Sequence, residues 1–192
     1  MRTKAPMTPP PDRAPPLVRA YLQWQHLKQL YRQGWLRRGV PAERCESVAD
    51  HVLGTALLAL QLADAHHPGL DAERVLRLAL IHDLGEAHAG DLTPADGVTA
   101  EDKHARERGG VRRIVDDLPG GERLLALWDE YEAGGTPEAR FVRQVDKLEM
   151  ALQASVYRRQ GHAGMGEFLE SAAASLEDPV LVELLDSLRS DS

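Results

Sequence analysis

Residues 75–91 read VLRLALIHDLGEAHAGD, and the reading of this stretch decides the fold. Its first seven residues, Val75-Leu76-Arg77-Leu78-Ala79-Leu80-Ile81, are almost wholly apolar, which predicts a central helix surrounded by protein. Asp71 supplies an N-cap, and the helix is expected to run through Ala87. Into this apolar setting the chain places His82 and Asp83 side by side. A carboxylate buried alone is prohibitively costly, so such groups are paired, protonated or bound to metal. Glu86 lies four residues after His82 and three after Asp83, on the same side one turn later. Asp91 follows just past a helix-ending glycine.

Outward from this segment, helix signals follow one another and no period-2 strand is found. Leu17, Tyr21, Trp24, Lys28 and Tyr31 recur at helical spacing, predicting a first helix that ends near Gly34. Ser47-Val48-Ala49-Asp50 has the form of a capping box, opening a helix to about Ala65 that is apolar on most faces. Residues 90–97 read as a loop by their breakers. Thr99 and Asp102 cap a fourth helix, closed by Pro119-Gly120-Gly121, and Glu122–Glu132 form a fifth. Thr136-Pro137 opens a sixth through about Arg159, and Asp178-Pro179 repeats that signal for a short last helix. The expected fold is all-α, a compact bundle of six to eight helices. Residues 1–16 hold six of the twelve prolines, so they are expected to form a flexible extension, with one domain over 17–192.

Composition sets the outer bounds. The 192 residues carry 30 acidic against 23 basic side chains, a net charge of −7, and 43% are apolar, enough for a real core. The acidic balance argues against binding a nucleic-acid polymer, whereas a small phosphorylated ligand needs only one or two local cations. The longest nearly apolar stretch, Val52–Ala65, is shorter than the roughly 20 residues a membrane span needs. No apolar signal-peptide core opens the chain. A single cysteine, Cys45, allows no internal disulfide, and a soluble, cytoplasmic protein is expected.

Two further polar residues fall on other apolar helices. His51 shares a face with Thr55, Leu58 and Leu62, and Asp146 sits within Phe141-Val142-Arg143-Gln144-Val145-Asp146-Lys147-Leu148. Taken singly, His51 reads as a hydrogen-bonded core histidine, Asp146 as an ion-pair partner of Arg143 or Lys147, and Glu86 as a solvated helix residue. Taken together, two neutral imidazoles and two carboxylates offset the charge of a divalent ion, and a His2Asp2 set suits a transition metal with positions open for water and substrate oxygen. His66-His67 ends a helix, where positive charge is favoured. His88 and His104 read as near-site or surface groups, and Cys45 as a small packing residue.

The pattern formed by His51, His82-Asp83 and Asp146 resembles that of the HD-domain metal-dependent phosphohydrolases. The wider text resembles one branch, the HD-domain-containing 2 and bacterial 5′-deoxynucleotidase group. The matching segments are Glu46-Ser47-Val48-Ala49-Asp50-His51, then His82-Asp83 with Glu86 and Gly90-Asp91-Leu92, then Pro94-Ala95-Asp96. Trp128-Asp129-Glu130-Tyr131-Glu132 and Asp146-Lys147-Leu148-Glu149-Met150 with Gln153-Ala154 continue it, so the likeness covers roughly residues 17–188. It implies an all-α, usually dimeric phosphomonoesterase that hydrolyses deoxyribonucleoside 5′-monophosphates with a divalent metal, cobalt or manganese being typical activators. By matching position it implies His51, His82, Asp83 and Asp146 as metal ligands and Glu86 and Asp91 as catalytic carboxylates. It further implies Arg32 as a phosphate clamp and Trp35 as a residue crowding the sugar 2′ position. In the bacterial nucleotidases that Arg and Trp are adjacent, whereas here Gln33-Gly34 separates them. Rival readings are another HD-type phosphohydrolase (a phosphodiesterase or triphosphohydrolase), a non-catalytic binding module, and a diiron oxygenase. The last would recruit extra histidines such as His88 and His104.

Overall fold

The computed structural model describes residues 1–190; the last two positions of the expected domain, 191 and 192, lie outside them. Among the described residues there are ten α-helices: α1 (Pro16–Trp24), α2 (Gln33–Arg37), α3 (Val48–His66), α4 (Ala72–Ile81), α5 (Glu86–Ala89), α6 (Ala100–Val115), α7 (Gly121–Ala133), α8 (Pro137–Arg159), α9 (Gly166–Ala173) and α10 (Pro179–Ser190). Two single turns of 3-10 helix, Gln25–Lys28 and Pro94–Asp96, complete the order, and strand pairing is limited to isolated bridges. The all-α expectation holds.

Helices α3 and α8 are the axis of the fold. α3 packs on α4 and α8, α4 on α7 and α8, while α9 and α10 cover the outer side of α8 and α6 closes over α5 and α1. By length and hydropathy α3 meets the requirement for a membrane span that Val52–Ala65 alone falls short of. It packs into the bundle along one face, with His51, Thr55 and Ala59 fully enclosed, while Leu53 and Leu57 on the opposite face are exposed. Thr99 and Thr136 accept the backbone N–H groups of Asp102 and Ala139, fixing the starts of α6 and α8 as their sequences predict.

Two expected helices are broken into pieces, which raises the count above eight. The expected helix 17–34 ends at Trp24, passes through a 3-10 turn and an extended Arg32, and resumes as α2. The expected helix through Ala87 stops at Ile81, turns over His82–Gly85 and restarts as α5. Gly85 is the pivot of that turn. A Cβ built on it would lie 2.5 Å from the Glu107 carbonyl oxygen, and one on Gly110 2.4 Å from that of Gly85, so α6 crosses at backbone contact. Gly90, at φ +82°, then sends the chain back toward α2. α9, which follows several glycines and has no side-chain cap, was not expected.

The core has two parts. The larger runs along α3, α4, α8, α9 and α10; the smaller joins α1, the start of α3, Leu84, Ala87, α6 and Trp128. His51 falls between Val48 and Val52 of the smaller cluster, with Ala56 of the larger about one turn further on, and His82-Asp83 between Ala79 of the larger and Leu84 of the smaller. The polar residues therefore lie at the seam of two apolar clusters. Within the segment expected to be a flexible extension, the Lys4 N–H donates to the Gln29 carbonyl (2.7 Å), and Arg2 exchanges two hydrogen bonds with the Gln33 side chain, both 2.8 Å.

Candidate metal centre and active site

The capping box at Ser47 and Asp50 sets the start of α3, each side chain accepting the other's backbone N–H (3.3 and 2.8 Å), and so sets the height of His51 in the next position. His51 Nδ1–H donates to Glu149 Oε2 at 2.5 Å, which leaves the Nε2 lone pair facing inward. His82 ends α4. Its Nδ1–H donates to the Ala79 carbonyl (2.8 Å), and its own carbonyl accepts the Trp128 indole N–H (3.0 Å), so Nε2 is again the free nitrogen. The two Nε2 atoms stand 3.3 Å apart. Asp83 Oδ2 lies 3.3 Å from His82 Nε2 and 3.7 Å from His51 Nε2, and Asp146 Oδ1 lies 3.1 Å from His51 Nε2.

This donor set fits a divalent metal. Two imidazole lone pairs aimed at each other at 3.3 Å repel unless a cation stands between them and the carboxylates. Asp83 Oδ2 is buried without a hydrogen-bond partner, and both outer histidine nitrogens are held by acceptors, as in orienting shells around metal-bound imidazoles. Burial and Arg32 push the His51 imidazolium down, but its bonds to Asp146 and Glu149 outweigh them and raise it to about 10. A proton there takes the position of a cation, and metal must displace it. Burial raises the Asp83 and Asp146 carboxyls, yet His82 beside Asp83 and Lys147 beside Asp146, with His51, hold both well below the usual carboxylate range.

The other expected residues meet on one side of this cluster. Arg32 Nη1 lies 3.1 Å from Asp91 Oδ1 and 3.7 Å from Asp83 Oδ2. Asp91 also accepts the backbone N–H of Gln33 at the start of α2. Glu86 is 3% exposed, and its Oε2 has no hydrogen-bond partner. Burial first, then Asp83 and Asp91, push its carboxyl well up. A cavity of about 700 Å³ opens here, with His82, Asp83, Glu86, Asp91 and Asp146 on its floor and Arg32 and Trp35 in its wall. The two-residue separation of Arg32 from Trp35 does not part them: both face one cavity.

Four contributors carry no role in the sequence reading. Glu149, one turn past Asp146, holds His51; the shared helical face was the signal that could have found it. Gln33 holds Asp91 through its backbone, which no side-chain pattern reveals. Lys103 and Glu107, four apart on α6, line the cavity with Nζ and Oε1 3.5 Å apart, and burial, reinforced by Asp83, raises the Glu107 carboxyl to about 7. The Lys147 ammonium pairs with Asp146 Oδ2 at 2.9 Å, so Asp146 is both a core-facing donor and an ion-pair partner. His104 stands at the rim, 3.1 Å from Glu132, and His88 bonds Gln23 at 2.8 Å. Cys45 is buried and its thiol is raised to about 12 by burial and Glu46, which suits a packing residue.

The HD domain family matches residues 24–183, which contain every one of these site residues. The chain belongs to the HD-domain family. It is 39% identical to the 5′-deoxynucleotidase HDDC2 of Homo sapiens over 169 residues, covering 86% of this chain and 80% of that protein. To the 5′-deoxynucleotidase hdd1 of Schizosaccharomyces pombe it is 36% identical, covering 74% and 73%. Among solved structures, a Pyrococcus horikoshii protein superposes with a TM-score of 0.76 at 34% identity, covering 91% of this chain and 99% of that one. A structure titled predicted metal-dependent phosphohydrolase, from Magnetospirillum magnetotacticum, superposes at 0.67 with 27% identity, covering 92% and 93%. HD domains are metal-dependent, and the His51, His82 and Asp83 cluster has the donor atoms for an ion.

Proposed function

We propose that this HD domain is a metal-dependent 5′-deoxynucleotidase, a phosphomonoesterase that converts deoxyribonucleoside 5′-monophosphates to deoxynucleoside and phosphate. The observation that carries the reading is the shared cavity, faced by His82, Asp83 and Asp146 with His51 buried against them, by two further carboxylates and by the Arg32 guanidinium. Relatives bearing the name 5′-deoxynucleotidase support the substrate class.

His51, His82, Asp83 and Asp146 would hold the metal, a transition metal by the donor types and cobalt or manganese by the resemblance. A bound divalent ion supplies charge against the phosphoryl oxygens and lowers the pKa of water. Arg32, kept protonated by the surrounding carboxylates, binds a phosphoryl oxygen and meets the charge that develops in the transition state. Asp91, already an acceptor for Arg32 and the Gln33 N–H, is placed to orient the attacking water and take its proton. Glu86, buried with an unpartnered oxygen, is placed to give a proton to the leaving 5′ oxygen as the P–O bond breaks. The water O–P bond forms as the P–O5′ bond breaks, and the products are phosphate and the free 5′-hydroxyl. Trp35 forms the wall against the sugar.

We further propose a cytoplasmic homodimer, supported by the single buried thiol and by Leu53 and Leu57, which lie exposed on α3. The test of function is phosphate release from a panel of deoxy- and ribonucleotides and sugar phosphates, each with manganese, cobalt or magnesium. Release from deoxynucleoside monophosphates only when metal is added is the expected result. Preference for a diester or triphosphate would overturn it.

A further inference from the structure

Glu46 stands behind the Trp35 wall. Its Oε1 accepts the Trp35 indole N–H at 2.6 Å, and its backbone carbonyl accepts the Arg32 N–H at 3.1 Å. Its own N–H donates to the Tyr157 hydroxyl at 3.0 Å. One residue of the segment leading into α3 is therefore bonded to both Arg32 and Trp35, the residues read as the phosphate clamp and the sugar wall. Trp35 is 2% exposed and clamped between Phe168 and Tyr157, with ring centroids 4.2 and 5.3 Å away. Its ring lines the site cavity, while Glu46 lines a second cavity with Arg44, Gln153 and Tyr157. An indole has one donor and no acceptor. With that donor engaged by Glu46, Trp35 offers the sugar nothing but carbon.

We propose that Glu46 is a specificity-determining positioning residue: by holding the indole N–H it makes Trp35 a donor-free wall that rejects a 2′-hydroxyl. This rests on the reading of Trp35 as the sugar wall. A hydroxyl pressed against carbon loses its water partners and gains none, a penalty on the order of tenfold to a hundredfold in relative kcat/KM. Once the carboxylate is removed, the indole loses the anchor that turns its N–H away from the site cavity, and a ring released to turn can offer that N–H to a 2′-hydroxyl. Ribonucleotides should then gain against deoxynucleotides. An amide in place of the carboxylate still presents an acceptor oxygen and should preserve the wall.

The test compares kcat/KM for a deoxy- and a ribonucleoside monophosphate of the same base, using the full chain loaded with manganese, with metal content measured alongside. Glu46→Ala should lose about tenfold or more of the deoxy preference, with Glu46→Gln close to the parent. Trp35→Phe, which keeps a carbon wall, should retain the preference, and adding Glu46→Ala to it should change the ratio no further. A readout independent of turnover is the Trp35 indole N–H resonance, identified by its loss in Trp35→Phe. It should move in Glu46→Ala and hold in Glu46→Gln. A ratio unchanged in Glu46→Ala overturns the proposal, as does an unmoved indole resonance. If Trp35→Ala itself leaves the ratio unchanged, the reading of Trp35 as the sugar wall has failed, and the proposal falls with it. A ratio altered in Trp35→Ala but not in Glu46→Ala sinks the role of Glu46 alone.

Discussion

A single methyl group at position 54 should weaken metal binding without touching a ligand. Gly54 lies on α3 three residues after His51, and a Cβ built there would stand 2.5 Å from Glu149 Oε1, 3.2 Å from its Cδ and 3.3 Å from its Cγ. Ordinary heavy-atom contact is about 3.5–4.0 Å, so in Gly54→Ala the carboxylate must withdraw by roughly 1 Å. Its other oxygen holds His51 Nδ1 at 2.5 Å, and the same withdrawal takes that bond to about 3.5 Å, past useful hydrogen-bond length. Losing the partner that orients a metal-bound histidine typically costs about 10–100-fold in metal affinity, or about 1.4–2.7 kcal/mol. Alanine for glycine inside a helix works the other way on stability, by about 1 kcal/mol, so the melting temperature of the metal-free protein should change little. Manganese titrated calorimetrically into chelator-stripped protein reads the first effect, and a thermal melt reads the second. Gly109→Ala, on α6 with nothing within 4 Å of the new atom, controls for helix propensity alone. Glu149→Ala should weaken binding at least as far as Gly54→Ala. If Gly54→Ala binds manganese as tightly as the parent while Glu149→Ala does not, the carboxylate accommodates the methyl. If neither weakens binding, Glu149 does not orient His51 and the reasoning fails.

Other outcomes follow from the same geometry. Asp83→Asn should lose bound metal and phosphatase activity with the helical fold kept; a variant with parental metal content and rate removes Asp83 from the ligand set. Glu86→Gln should keep metal while its rate falls about 10²–10⁴-fold, the usual cost of removing a positioned acid–base group; metal loss equal to that of Asp83→Asn would make it a ligand. Arg32→Ala should raise KM for the nucleotide and lower kcat with metal retained, and lysine should restore only part, lacking the planar fork of donors. Burial lowers the His26 imidazole, and burial, Arg113 and His26 lower that of His88, so both fold in the neutral form. Their stabilising contribution is present above the unfolded value of about 6.5 and is lost as pH falls through their lowered folded values; urea midpoints measured from pH 7.5 to 5 should show a decline that His26→Gln with His88→Gln reduces.

The four donors expected to meet at the site were readable because burial makes polar residues conspicuous, whereas the roles expected of Arg32, Glu86 and Asp91 came from the family resemblance. His51, His82, Asp83 and Asp146 interrupt apolar helices, and an interruption of that kind demands a partner. The shell around them was much less readable. Glu149 sits on an amphipathic helix among other charges; the face it shares with Asp146 hints at the site, and the packing of α8 on α3 shows that it meets His51. Gln33 acts through its backbone N–H, which every residue but proline possesses. The helix breaks were missed for a related reason. Gly85 reads as a tolerated glycine inside a good helical pattern, and the approach of the Glu107 carbonyl that requires it comes from a helix more than twenty residues away.

That break is what assembles the two halves of the chemistry. Were the helix continuous through Ala87, Glu86 would follow His82 by one turn on a single rod, facing the core beside the ligands. The turn over His82–Gly85 ends α4 with the imidazole held by the Ala79 carbonyl, and α5 then starts in a new direction under α6. Gly90 reverses the chain after one turn, bringing Asp91 to the Gln33 N–H and Arg32. His82 and Asp83 thus belong to the α3–α4–α8 side of the seam, and Glu86 and Asp91 to the α2–α5–α6 side. A substrate phosphate between them would be met by metal from one side and by Arg32 and the two carboxylates from the other. The close Gly85–Gly110 crossing is what keeps the two sides in register, because a side chain at either position would push α6 and the cavity wall it carries outward.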